Sequence, residues 1–217
     1  LAFYAVIAGW TLSYLWSSIT GQIGGVITAE ESGAIFEALI GDSVTPLILT
    51  AIFMALTVWV VRGGVSKGIE RTTKILMPTL LVVLVIMAIR SMTLEGGMEG
   101  VAYLFQPDFS KLSVGVIMAA LGQALFSLSL GMGAMITYGS YFPEKENLHQ
   151  AGIIVALFDT GIAILAGLII FPALFSVGAD PASGPGLVFV VLPSIFGALP
   201  AGGLFAIAFY FLLAIAA

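Results

Sequence analysis

The chain has 217 residues, 60% of them hydrophobic and 9% charged, with no cysteine and a formal net charge of −5. An ordinary soluble domain carries about 25% charged residues, so this composition cannot cover a water-facing surface. Disordered, collagen-like and disulfide-scaffold classes are excluded, seven Lys and Arg leave no basic patch for nucleic acid, and thiol catalysis and cysteine-type zinc sites are absent.

What remains is an all-α polytopic membrane protein. A spanning helix needs about 20 predominantly apolar residues, which selects 1–21, 44–62, 68–90, 114–141, 149–175 and an incomplete 201–217. Leu1 opens directly into an apolar stretch and Ala217 closes inside another, without anchoring residues at either boundary. The chain therefore reads as an internal fragment, 1–217 being part of one transmembrane domain. Its connectors sort by charge: 62–74 holds Arg62, Lys67, Arg71 and Lys74, and 142–148 adds Lys145, whereas 22–43 holds Glu30, Glu31, Glu37 and Asp42 with no Lys or Arg. By the bias of basic loops toward the cytoplasm, 62–74 and 142–148 lie inside, and 22–43, 91–113 and 176–200 outside. The apolar middle of the last connector, 187–196, is too short to cross a bilayer. It predicts a re-entrant extracellular segment at about 180–198 that folds back on protein.

The informative residues are polar ones inside spans. In 114–141, Ser127, Ser129, Gly131 and Gly133 fall within seven residues near the middle. Each interior Gly costs about 1 kcal/mol of helix stability relative to Ala, and Ser hydroxyls offer the backbone non-helical partners. Two readings stay open on composition: a helix broken around an unwound strip whose main-chain groups need a ligand, ion or neighbour, or a small-residue packing face. Asp159 is the one carboxylate well inside a span. An acid at a helix centre costs about 2.5–3.5 kcal/mol on insertion scales, which calls for a compensating partner and marks a functional site rather than a structural pair. Asp159, Thr160 and Gly161 spell the triplet of aspartic proteases, but that chemistry needs two carboxylates and no second acid lies inside any span. Tyr4 sits well inside the first span, where a phenol needs a hydrogen-bond partner. Trp10, Tyr14 and Trp16 read as interface anchors, and His149 as a solvated surface residue.

The run GQALFSLSLGMGAMITYGSY (122–141) resembles the neurotransmitter:sodium symporter family, specifically its bacterial amino-acid transporters. AGWTLSYLW (8–16), KGIERTTKILMPTLL (67–81) and GPGLVFVVLPSIF (184–196) are similar to the family's third helix, the start of its fifth and its fourth extracellular loop. The resemblance implies family helices 3 to 8 of an inverted-repeat fold, with substrate and sodium near the midplane between discontinuous helices, here around 127–133. It makes Phe126 the aromatic lid over the substrate and, with Gln123, an extracellular gate residue, Ser127 both a substrate-binding residue and a ligand of the first sodium, Ser129 part of the substrate strip, and Met132 a wall of the side-chain pocket. Tyr4 takes the place of the helix-3 tyrosine that contacts the substrate carboxylate, and Ala216 that of a backbone ligand of the second sodium. Family members usually carry Asn where Asp159 stands, with chloride or a nearby acid supplying negative charge. An acid in the ligand itself, with Ala163 apolar one turn later, implies sodium coordination without chloride. Met132 suits varied apolar shapes.

The expected function is therefore sodium-coupled symport of hydrophobic amino acids, aliphatic and aromatic, by alternating access. The expected setting is multi-pass in a plasma membrane, such as a bacterial inner membrane. Sodium is the co-transported ion, no organic cofactor is expected, the partners are the amino acid, sodium and the lipid bilayer, and the protein is not an enzyme. A non-transporting amino-acid sensor on the same scaffold is the alternative, and an intramembrane hydrolase is disfavoured by the single buried acid.

Overall fold

The computed structural model describes residues 2–25, 27–62, 70–142, 147–176, 178, 187–197, 199 and 201–216. Ten α-helices are described: α1 (Ala2–Ile19), α2 (Ala29–Gly41), α3 (Thr45–Arg62), α4 (Glu70–Met92), α5 (Gly97–Phe105), α6 (Val114–Ser127), α7 (Ala134–Ser140), α8 (Leu148–Ser176), α9 (Leu187–Gly197) and α10 (Gly202–Ala216), with a 3₁₀ turn at Phe109–Lys111. Thr45–Arg62, Lys74–Met92 and Leu148–Ser176 are each long and apolar enough to cross a membrane. Parts of the basic connectors 62–74 and 142–148, namely 63–69 and 143–146 with Lys67 and Lys145, lie outside the described residues, as does 180–186 of the expected re-entrant segment.

The chain forms two compact units, Leu1–Leu104 with Leu168–Ala217, and Phe105–Gly167. In the first, α1 packs on α3 and α10, while α9 covers α2 and α10. Gly9 lets α1 and α3 approach, since a Cβ there would lie 2.9 Å from the Thr50 amide nitrogen. The core is aromatic: Trp10 meets Phe36 and Phe189 edge-on, with ring centroids 5.3 and 5.8 Å apart, and Tyr14 sits 4.9 Å from Phe189. Phe196, Phe209 and Tyr210 continue the cluster across α9 and α10. Tyr14 is thus a buried packing residue and Trp10 is half-buried against α2 and α9, which corrects their expected role as interface anchors; Trp16 alone of the three stays exposed. An apolar face on α9 made this burial the more favourable use of both rings.

Buried hydroxyls stitch the elements of this unit. Ser32 donates to the Phe189 carbonyl at 3.1 Å, and Ser91 to that of Ile169 at 2.5 Å. Pro172 removes one rung of α8 beside that carbonyl, and the backbone of Gly100 lies so close to Phe171 and Pro172 that a Cβ there would overlap them.

Two connectors contain helices that hydropathy passed over. The first, α2, opens with a capping box in which Thr28 accepts from the Glu31 amide at 3.2 Å and its own amide donates to the Glu31 carboxylate at 2.9 Å. The Thr28 amide first, and then the Thr28 hydroxyl donating to the same carboxylate at 3.0 Å, hold the Glu31 carboxyl below its ordinary range. Thr-x-x-Glu was visible in the sequence. The second, α5, is short and amphipathic, and its Gly97 and Gly100 are buried.

Candidate functional site

The second unit holds the interruption of 114–141. Its first half, α6, begins at Ser113, whose hydroxyl accepts from the Val116 amide, and stops at Ser127 by a specific device. The Ser129 amide donates to the Phe126 carbonyl at 3.0 Å and the Leu130 amide to that of Leu125 at 2.8 Å, with Ser129 left-handed at φ 56°. This is a Schellman cap, a motif that usually places Gly at its left-handed residue. Gly131 and Gly133 follow at φ 78° and 77°, and α7 resumes at Ala134. Among the described residues, no backbone donor reaches the carbonyls of 127–132 and the amides of 131–135 find no acceptor. The interruption reading holds over the packing-face reading because left-handed backbone at 129, 131 and 133 cannot be helical.

Asp159 lies on α8, which is continuous through it, and the Ser127 hydroxyl bridges both its carboxylate oxygens at 2.6 and 2.8 Å. That single hydroxyl is the one side-chain donor to this carboxylate among the described residues, although a carboxylate can accept about four hydrogen bonds. The electrostatics are unfavourable as they stand. The C-terminal end of a helix carries roughly half a negative charge, and here it faces an acid. Unclaimed carbonyls, a hydroxyl and a carboxylate in one place form an all-oxygen donor set of net negative charge, which suits a hard cation.

The structure brings Ser127 and Asp159 together. Within the same unit, Phe126 and Gln123 are exposed on α6, Ser129 is half-buried at the cap, and Met132 is exposed between Gly131 and Gly133. Tyr4 and Ala216 belong to the other unit, where both are exposed near the start of α1 and at the end of α10. Tyr4 has no hydrogen-bond partner among the described residues. His149 is exposed at the start of α8. Sequence reasoning missed the Schellman cap, for which the SLSLG run after Leu125 and Phe126 was a weak signal; the family resemblance had assigned Ser127 and Asp159 to one sodium, and their direct hydroxyl–carboxylate bond is what the structure adds.

The family model of the sodium:neurotransmitter symporter family matches residues 39–217. The uncharacterised sodium-dependent transporter YhdH of Bacillus subtilis is 45% identical over 209 residues, covering 96% of this chain and 46% of that protein. An uncharacterised sodium-dependent transporter of Haemophilus influenzae is 43% identical over 220 residues, covering 100% of this chain and 48% of that one. The crystal structure of MhsT in complex with L-phenylalanine superposes with a TM-score of 0.93 at 53% identity, covering 99% of this chain and 48% of its own. The chain thus spans about half the length of the relatives it matches.

Proposed function

Since the chain belongs to the sodium:neurotransmitter symporter family, we propose that the full-length protein couples a sodium gradient to the uptake of hydrophobic amino acids across a plasma membrane, without need of chloride. The observation that carries this reading is the Ser127 hydroxyl held against both oxygens of Asp159, where the main-chain carbonyls of 127–132 have no backbone donor among the described residues. A sodium ion there accepts oxygens from the Asp159 carboxylate, the Ser127 hydroxyl and the exposed main chain. It also offsets the repulsion between the acid and the α6 C-terminus. With the negative charge in the ligand itself, no separate anion is required.

Phe126, Ser129 and Met132 flank the same interruption and serve as substrate contacts, with Gln123 one turn before Phe126 as a gate residue. Tyr4 supplies a phenol toward the substrate carboxylate and Ala216 a carbonyl toward a second sodium. A pocket wall of Met and Phe favours apolar side chains over polar ones, and the phenylalanine bound by MhsT supports that class.

The test is uptake of labelled phenylalanine into proteoliposomes by full-length protein. Accumulation requires an inward sodium gradient and persists with gluconate replacing chloride; gradient-independent accumulation, or binding without counterflow exchange, overturns the symport reading. Asp159→Asn makes uptake chloride-dependent or abolishes it. Unchanged chloride-free uptake by that variant removes Asp159 from the ion site.

A further inference from the structure

The aromatic core between α1 and α10 contains two hydroxyls that aromatic packing does not require. Tyr14 is 1% exposed and Tyr210 is 0% exposed, their ring centroids lie 5.3 Å apart, and neither phenol oxygen has a hydrogen-bond partner among the described residues. The other rings against them are Phe189, Phe196 and Phe209. The two tyrosines are therefore neighbours of each other inside a cluster otherwise built of phenylalanine. Phe would fill either place with the same ring and no polar atom. A buried hydroxyl without a partner is costly, and native proteins satisfy nearly all such groups with protein or ordered water.

Tyr14 shares its face of α1 with two other buried polar residues. Thr11, Tyr14 and Ser18 fall at helical spacing and all three are buried. The Thr11 and Ser18 hydroxyls donate to the carbonyls of Ala8 and Tyr14 at 2.6 and 2.7 Å, so their protons are used while their lone pairs remain open to a donor. A buried water needs at least two polar partners, and the phenols of two neighbouring rings, each buried and without a partner among the described residues, are the candidates.

We propose that Tyr14 and Tyr210 hold a buried water molecule between α1 and α10. It accepts from one phenol while donating to or accepting from the other, and it ties the two helices by a polar bridge inside an apolar core. This site is separate from the ion site and stands or falls independently of the transport reading.

The test uses full-length protein in detergent, with Tyr14→Phe, Tyr210→Phe and the double variant followed by thermal unfolding. Because each phenol is satisfied through the shared water, either single change lowers the Tm by about 2 °C or more, and the double variant loses less than the two single losses added together. Single variants with a Tm equal to or above that of the parent mean the hydroxyls were unsatisfied, and overturn the proposal. A high-resolution structure of the full-length protein supplies the second reading. Solvent density within 3.2 Å of both phenol oxygens, on the order of an ordinary hydrogen bond, is expected, and a side chain from outside residues 1–217 bonded to either phenol overturns the water bridge.

Discussion

The two units of this chain use the same apolar composition in opposite ways. In Leu1–Leu104 with Leu168–Ala217, rings from α1, α2, α9 and α10 interlock, and Phe196, Ile195, Tyr210 and Met87 are all at most 1% exposed. In Phe105–Gly167 none of the described residues is buried, and that unit carries the helix break, the left-handed serine and the intramembrane acid. Packing specifies structure where side chains complement one another. Chemistry concentrates where main-chain and acidic oxygens are left without protein partners. In the second, open unit, the α6 cap and the acid supply those oxygens.

This contrast can be broken by mutation. The largest effect is expected in the packed unit, where Phe196→Ala costs about 3–5 kcal/mol of stability. It is read as a large fall in Tm of the full-length protein, while the sodium affinity of the molecules that remain folded is unchanged. The reverse is expected in the open unit. Asp159→Ala removes about 2–3 kcal/mol of ion binding, on the order of a 50-fold loss of sodium affinity, with little change in the Tm measured without sodium. If Asp159→Ala instead lowers the sodium-free Tm as far as Phe196→Ala does, the division between packing and chemistry fails.

Two smaller effects sharpen it. Ser129→Gly relieves a non-glycine left-handed residue and raises sodium-free stability by about 1 kcal/mol, measured by thermal unfolding; a loss would mean that its side chain does more for the cap than its backbone strain costs. Thr28→Ala removes the α2 capping box and costs about 1 kcal/mol, with α2 amides near 29–32 exchanging faster with deuterium. The same cap responds to pH. The Glu31 carboxyl is lowered in the folded state by the Thr28 amide and hydroxyl, so its contribution is complete above the ordinary carboxylate range and is lost as pH falls through the lowered value. Acidification should lower the protection of the α2 amides, relative to their intrinsic exchange, in the parent and by less in Thr28→Ala, which keeps the residue-28 amide bond to Glu31 and loses the hydroxyl one.

Much of the architecture was legible because a bilayer imposes its own length and polarity rules. The apolar runs at 44–62, 68–90 and 149–175 correspond to α3, α4 and α8, and the Ser and Gly cluster at 127–133 marked the interruption. Hydropathy passed over α2 and α5, whose mixed composition resembles a loop unless the capping residues are considered. Aromatic residues near the ends of spans were read as interface anchors by a rule that assumes lipid neighbours; the rule failed at Trp10 and Tyr14, where the neighbours are rings of α2, α9 and α10.

By itself, then, the sequence determined what was costly: an acid within an apolar helix, and glycines and serines where helical geometry is weak. Those costs are local and follow from each residue's own chemistry. The family resemblance assigned Ser127 and Asp159 to one ion, but only the tertiary structure decided that the hydroxyl bonds the carboxylate directly, 32 positions away, and that Tyr14 meets Tyr210 across nearly the whole chain. Partnership at that separation depends on how helices pack, which no local pattern encodes.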